Sequence, residues 1–180
     1  GRAVRVEVVA FDLAEDVARN GEGVHHVVRV QVSGCPNREL ARGIGKSVVN
    51  SPLLQCAICG NDPNVGRLVC AIGKFIGSQA PELDLSGCRI MVGGETVFEN
   101  GAFCLDPTRE QGLHQHLLAA EMYASVPPAD GLSFTPPQRY PAHERSVQIG
   151  IDLGAGSAAI TVIGTDRSHE YITENADYRS

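Results

Sequence analysis

Val24-His25-His26-Val27-Val28-Arg29-Val30-Gln31-Val32 is the stretch on which the fold turns. Val24, Val28, Val30 and Val32 fall on one face and Val27, Arg29 and Gln31 on the other, the two-residue period of a half-buried strand. The strand is entered through the turn Gly21-Glu22-Gly23 and ends at Gly34. Upstream, Val4, Val6 and Val8 alternate while Leu13 and Val17 are spaced as on a helix. Ala3 to Asn20 therefore ends as a helix, and periodicity leaves its first half open. Downstream, Asn37, Glu39 and the apolar set Leu40, Ile44 and Val48 predict a capped amphipathic helix to about Asn50. Leu54 to Ile58 reads as a short strand. Asp62-Pro63 reads as a helix start, because proline's missing N–H would be unpaired there anyway, with Val65, Leu68, Val69, Ile72 and Phe75 along one side of the helix.

Cys88, Ile90 and Val92 alternate up to Gly93-Gly94, and Thr96 and Phe98 continue beyond, which predicts a hairpin. Leu113, Leu117, Leu118 and Met122 give one face of a helix. The five prolines between Val126 and Ala142 (Pro127, Pro128, Pro136, Pro137, Pro141) predict an extended connection. Val147, Ile149, Ile151 and Leu153, then Ile160 and Val162 after Gly154-Ala155-Gly156, read as a second hairpin, and Ser168 as the cap of a short last helix. Mixed strands and helices with two hairpins make the expected class α+β, with mixed sheets and packed helices.

The 180 residues are 43% hydrophobic, enough for a core, and carry a formal net charge of −6. No basic run is present, so nucleic acid is excluded as an expected partner. Apolar runs such as Leu68 to Ile72 fall far short of the roughly 20 residues that span a bilayer, so no membrane insertion is expected. The six cysteines (Cys35, Cys56, Cys59, Cys70, Cys88, Cys104) are scattered through apolar segments of a chain too long to need disulfide staples. Free thiols and a cytoplasmic setting are expected, with an organelle left open for a eukaryotic source.

Chemistry is sparse. Cys56-x-x-Cys59 has no second pair to complete a four-ligand zinc site, and on a strand its two thiols would face apart. No metal or cofactor is expected. His25 and His26 face apart as strand neighbours, and His114 and His116 are about 200° apart on a helix. The histidines read as solvated or locally bonded. Gly43-Ile44-Gly45-Lys46 and Gly154-Ala155-Gly156-Ser157 lack the spacing of phosphate loops and read as turn or packing glycines. Glu22 stands between two glycines, where backbone can approach a ligand closely, although an acid in a turn is more often simply solvated. The end, Glu174-Asn175-Ala176-Asp177-Tyr178-Arg179-Ser180, carries groups suited to hydrogen bonding an amino acid, with Tyr171, Ile172 and Tyr178 offering an apolar anchor.

Several stretches in order resemble the ornithine acetyltransferase (glutamate N-acetyltransferase) family. Ala18-Arg19-Asn20-Gly21-Glu22-Gly23 resembles its D-G-E-G turn before a strand. Asn50-Ser51-Pro52-Leu53 resembles N-S-P-L, and Gly60-Asn61-Asp62-Pro63-Asn64-Val65-Gly66-Arg67 resembles G-E-D-P-N-W-G-R. Ile151-Asp152-Leu153-Gly154, Asp166-Arg167-Ser168-His169-Glu170-Tyr171-Ile172 and Asn175-Ala176-Asp177-Tyr178 resemble its D-L-G strand, D-L-S-x-x-Y-V helix and N-A-x-Y tail. Asn20, Asn61, Val65 and Arg167 depart from the pattern, and residues 103–142 look like a variable insertion.

Such enzymes are made as a precursor that cuts itself in two, and the second fragment opens with a nucleophilic threonine. The resemblance implies a C-terminal (beta) fragment whose residues 1–23 end the nucleophile-bearing domain and whose residues 24–180 form a C-terminal α+β domain. It implies acetyl transfer from N-acetylornithine to glutamate through an acyl-threonine, releasing ornithine, without cofactor. No catalytic residue is expected within this chain. The substrate contacts carried over are Glu22, Asn175 and the terminal Ser180. The implied partner is the N-terminal (alpha) fragment of the same precursor, in a heterotetramer or larger assembly. A self-cleaving relative with another acceptor, a hydrolase of that type, or a noncatalytic assembly subunit are the alternatives.

Overall fold

The computed structural model of the chain describes residues 2–122 and 145–177, with side chains from residue 10 onward. The described residues form helix α1 (Arg2–Arg19), strand β1 (Val27–Cys35), helices α2 (Arg38–Val49), α3 (Pro52–Cys59) and α4 (Val65–Gln79), and strands β2 (Arg89–Val92), β3 (Glu95–Glu99) and β4 (Ala102–Phe103). Helix α5 (Pro107–Ala120), strands β5 (Val147–Asp152) and β6 (Ala158–Thr165), and helix α6 (His169–Ala176) complete the order. The class is α+β. The proline-rich stretch from Val126 to Ala142 lies outside the described residues.

The strands make one six-stranded sheet in the order β4-β3-β2-β5-β1-β6. β1 runs parallel to β5 and antiparallel to β6, and the other pairings are antiparallel. Alternation along β1 sets its two faces. Val30 stands beside Ile149 and Val162, and Val32 beside Ile151 and Ile160, so apolar rows cross the sheet on one side. These rows join Ala41, Ile44 and Val48 of α2, Leu68, Ile72 and Ile76 of α4, and Leu113 and Leu117 of α5 in one core. Burying each such leucine or isoleucine contributes about 1.5–3 kcal/mol. On the opposite side Arg29 is met by Glu15 of α1, which also accepts from Arg19 at 2.5 Å.

Three local expectations are corrected, and one question left open by periodicity is answered. The segment read as a strand at Leu54 to Ile58 is helix α3, with Pro52 in its first turn and Leu54, Ala57 and Ile58 buried at helical spacing. The first half of the opening segment is helical throughout α1. Helix α4 is capped by Asn64, whose side chain accepts from the Arg67 N–H, so Asp62-Pro63 precedes the helix instead of starting it. Finally, β5 and β6 are not a hairpin: β1 lies between them. Their connection wraps over the end of β1, with the Leu153 N–H donating to Ser33 O at 3.0 Å and Ala155 N–H to Gly34 O at 2.8 Å. Gly34 has φ +66, and a Cβ there would meet Asp152 Oδ1 at 2.1 Å, so only glycine fits that crossing. The first hairpin, β2 with β3, forms as read.

Candidate functional site

Glu22 sits at the exposed tip of the turn between α1 and β1, and Asn175 on the exposed last turn of α6. The fold brings these together from 153 residues apart: Asn175 Nδ2 donates to Glu22 Oε2 at 3.5 Å. The same Nδ2 donates to Tyr171 O at 2.9 Å, which fixes the amide against its own helix. Carboxylate and amide thus share one patch of surface, and with both Nδ2 protons engaged the Asn175 Oδ1 and the Glu22 carboxylate are acceptors able to attract an ammonium. Ser180, the third sequence candidate, lies outside the described residues.

The turn is pressed onto the start of α6. Gly23 has φ +64, and a Cβ on it would stand 2.3 Å from Tyr171 N. Ser168 caps α6 by accepting from Tyr171 N–H at 2.9 Å, and its hydroxyl donates to Gly23 O at 2.5 Å. Of the apolar anchor expected for this end, Tyr171 is 40% and Ile172 48% exposed, and Tyr178 lies outside the described residues.

What holds the region instead is polar, buried, and not seen in the sequence. His25 and His26 are 1% and 0% exposed, so neither is solvated. They do face apart. His25 Nε2 lies 3.2 Å from Glu170 Oε2 on α6, and His26 Nδ1 lies 2.8 Å from Asp166 Oδ2. Asp166 also accepts from His25 N–H at 3.0 Å, and its own N–H donates to His26 O at 3.2 Å. His26 Nε2 faces Asn61 Oδ1 at 3.1 Å, tying the α3–α4 loop to the same knot. Burial raises the proton affinity of Glu170, but its own backbone N–H, His25 and Ser168 outweigh this and hold its carboxyl below the usual range. The one sequence signal for the knot was local: two histidines directly after the turn, and the spacing Asp166-x-Ser168-x-Glu170 before α6.

Other candidates lie elsewhere. Because α3 is a helix, Cys56 and Cys59 project to the same side, not to opposite ones. Among the described residues no group of three or more His, Cys, Asp or Glu is gathered to hold a metal ion. His114 Nδ1 bonds Asn61 O at 2.8 Å, while His116 Nε2 accepts from Gln148 N–H at 3.1 Å, so the two diverge. Gly43 and Gly45 lie where a Cβ would meet Phe75 and Val162, which makes them packing glycines. Asp62, Pro63, Asn64 and Val65 edge a small apolar cleft backed by Leu117, Val147 and Ile149. No helix among the described residues is long and apolar enough to cross a membrane.

Comparison with known proteins agrees with the motifs. The ArgJ family model matches residues 3–180. The arginine biosynthesis bifunctional protein ArgJ of Wolinella succinogenes is 36% identical over 175 residues, covering 97% of this chain and 37% of that protein. Its counterpart in Pseudomonas syringae pv. tomato is 31% identical over 172 residues, covering 96% of this chain and 35% of that protein. The crystal structure of the Bacillus halodurans protein of the same name superposes with a TM-score of 0.73 at 25% identity, over 97% of this chain and 68% of that one. The chain therefore spans little more than a third of the length of these curated relatives.

Proposed function

The chain belongs to the ArgJ (ornithine acetyltransferase) family, and from that premise we propose that it is the C-terminal fragment of an enzyme moving acetyl from N-acetylornithine to glutamate. In this reading residues 1–23 belong with the nucleophile-bearing domain and residues 24–180 form the C-terminal domain. The remaining part of the precursor supplies a threonine hydroxyl, in an assembly of both fragments. That oxygen attacks the acetyl carbonyl, the ornithine amine leaves with the proton, and the glutamate amine then attacks the acyl ester and restores the hydroxyl. Each amino acid occupies one site in turn.

This chain's share is substrate recognition. Glu22 faces the substrate's cationic amine, and Asn175, with Ser180, orients the amino-acid head. The observation that carries the reading is the meeting of Glu22 and Asn175 at 3.5 Å on an exposed surface, two residues reached independently through the family resemblance. Glu22→Gln in the complete enzyme removes the charge and keeps the shape. The KM for N-acetylornithine should rise about tenfold or more, the worth of a charge-assisted hydrogen bond, with the thermal midpoint unchanged. Wild-type kinetics in that variant would remove Glu22 from the site. Mass spectrometry of products formed with glutamate, ornithine or water as acceptor distinguishes transfer from hydrolysis.

A further inference from the structure

We infer that the pairs His25 with Glu170 and His26 with Asp166 form a clasp that positions Asn175 against Glu22, and that Glu170 is its adjustable member. The inference rests on the reading of Glu22 and Asn175 as substrate contacts. Helix α6 contains no buried residue, so apolar burial does not set its place. Apart from the Asn175–Glu22 contact, a polar set from Asp166 to Tyr171 attaches it to the turn and to the start of β1. Ser168 Oγ reaches Gly23 O, Asp166 takes the His25 N–H and the His26 ring, and Glu170 meets the His25 ring at 3.2 Å. The His residues they grip follow Glu22 within four positions of chain.

The helix is therefore an arm held at its base. From Glu170 to Asn175 it rises roughly 7–8 Å at 1.5 Å per residue, so a tilt at the clasp is carried along the helix to the amide. The two pairs differ in what they tolerate. The His26–Asp166 side chains are 0% exposed, and breaking them strands a buried charge, which destabilises the fold itself. Glu170 is 19% exposed, at the rim, where loss of its charge loosens the arm and leaves the core intact.

The test is Glu170→Gln, Asn175→Ala and the double variant in the complete enzyme, with KM, kcat and thermal midpoint read for each. Glu170→Gln should raise the KM for N-acetylornithine about fivefold to tenfold, with kcat within about twofold and the midpoint unchanged. In the Asn175→Ala background it should add nothing, because the clasp acts through that amide. An unchanged KM in Glu170→Gln, additive effects in the double variant, or a rise in KM accompanied by a fall in midpoint would overturn the clasp. If Asn175→Ala and Glu22→Gln both leave KM unchanged, the reading of the site itself fails, and the clasp as a positioning device falls with it.

Discussion

At the scale of single residues, Gly23 links backbone conformation to the proposed site. Its φ of +64 is one that side-chain-bearing residues seldom adopt, and the atoms a Cβ would strike are backbone of Glu170 and Tyr171, which cannot swing aside. Gly23→Ala should cost about 1–3 kcal/mol for the conformation alone and push α6 outward. Unlike Glu170→Gln, it should lower the thermal midpoint and raise KM together; a change in neither would mean that the turn yields freely. Glu22 stood out in the sequence because glycines flank it. Asn175 was legible only through the family motif, since nothing local separates it from a fraying end. His25 and His26 were not legible as a pair of anchors, because their partners Asp166 and Glu170 lie some 140 positions away and burial is a property of the folded chain.

The same division holds for whole elements. Helix α2 was readable to the residue at its start, because Asn37 declares itself by accepting from Leu40 N–H. Helix α3 was not, since its short, almost wholly apolar run suits a buried strand equally well, and what decides it is Pro52 at the first turn with Leu54 and Ile58 one turn apart. Helix α6 depends on its cap more than the others, having no buried residue to reinforce it. Ser168→Ala removes both the acceptor for Tyr171 N–H and the donor to Gly23 O. The cost should be about 0.5–2 kcal/mol, felt locally. Amide hydrogen exchange should accelerate over residues 171–176 while α2 and α4 keep their protection, and uniform acceleration across the chain would show that α6 unfolds only with the rest.

For the molecule as a whole, the sheet is assembled from distant strands: β1 pairs with β5 and β6 on its two sides, an arrangement the turn Gly154-Ala155-Gly156 alone could not disclose. One side chain joins several of these layers. His116 of α5 lies against Gly93 in the β2–β3 turn and accepts the Gln148 N–H of β5 at Nε2, so it serves the fold only with that nitrogen unprotonated. Burial, and to a lesser degree the nearby His26, lower its pKa from the ordinary 6.5. The unfolded chain therefore takes the proton first. The stability that neutral His116 contributes is complete above about 6.5 and is lost as the pH falls through that value toward the lowered native one. Glu170, whose carboxyl is held below the ordinary 4.5, titrates outside that interval. Thermal midpoints should fall between pH 7 and pH 5 in the native sequence. In His116→Gln, whose side-chain oxygen can accept the same N–H without titrating, the decline over that interval should flatten. Equal slopes in the two proteins would place the acid sensitivity in another group.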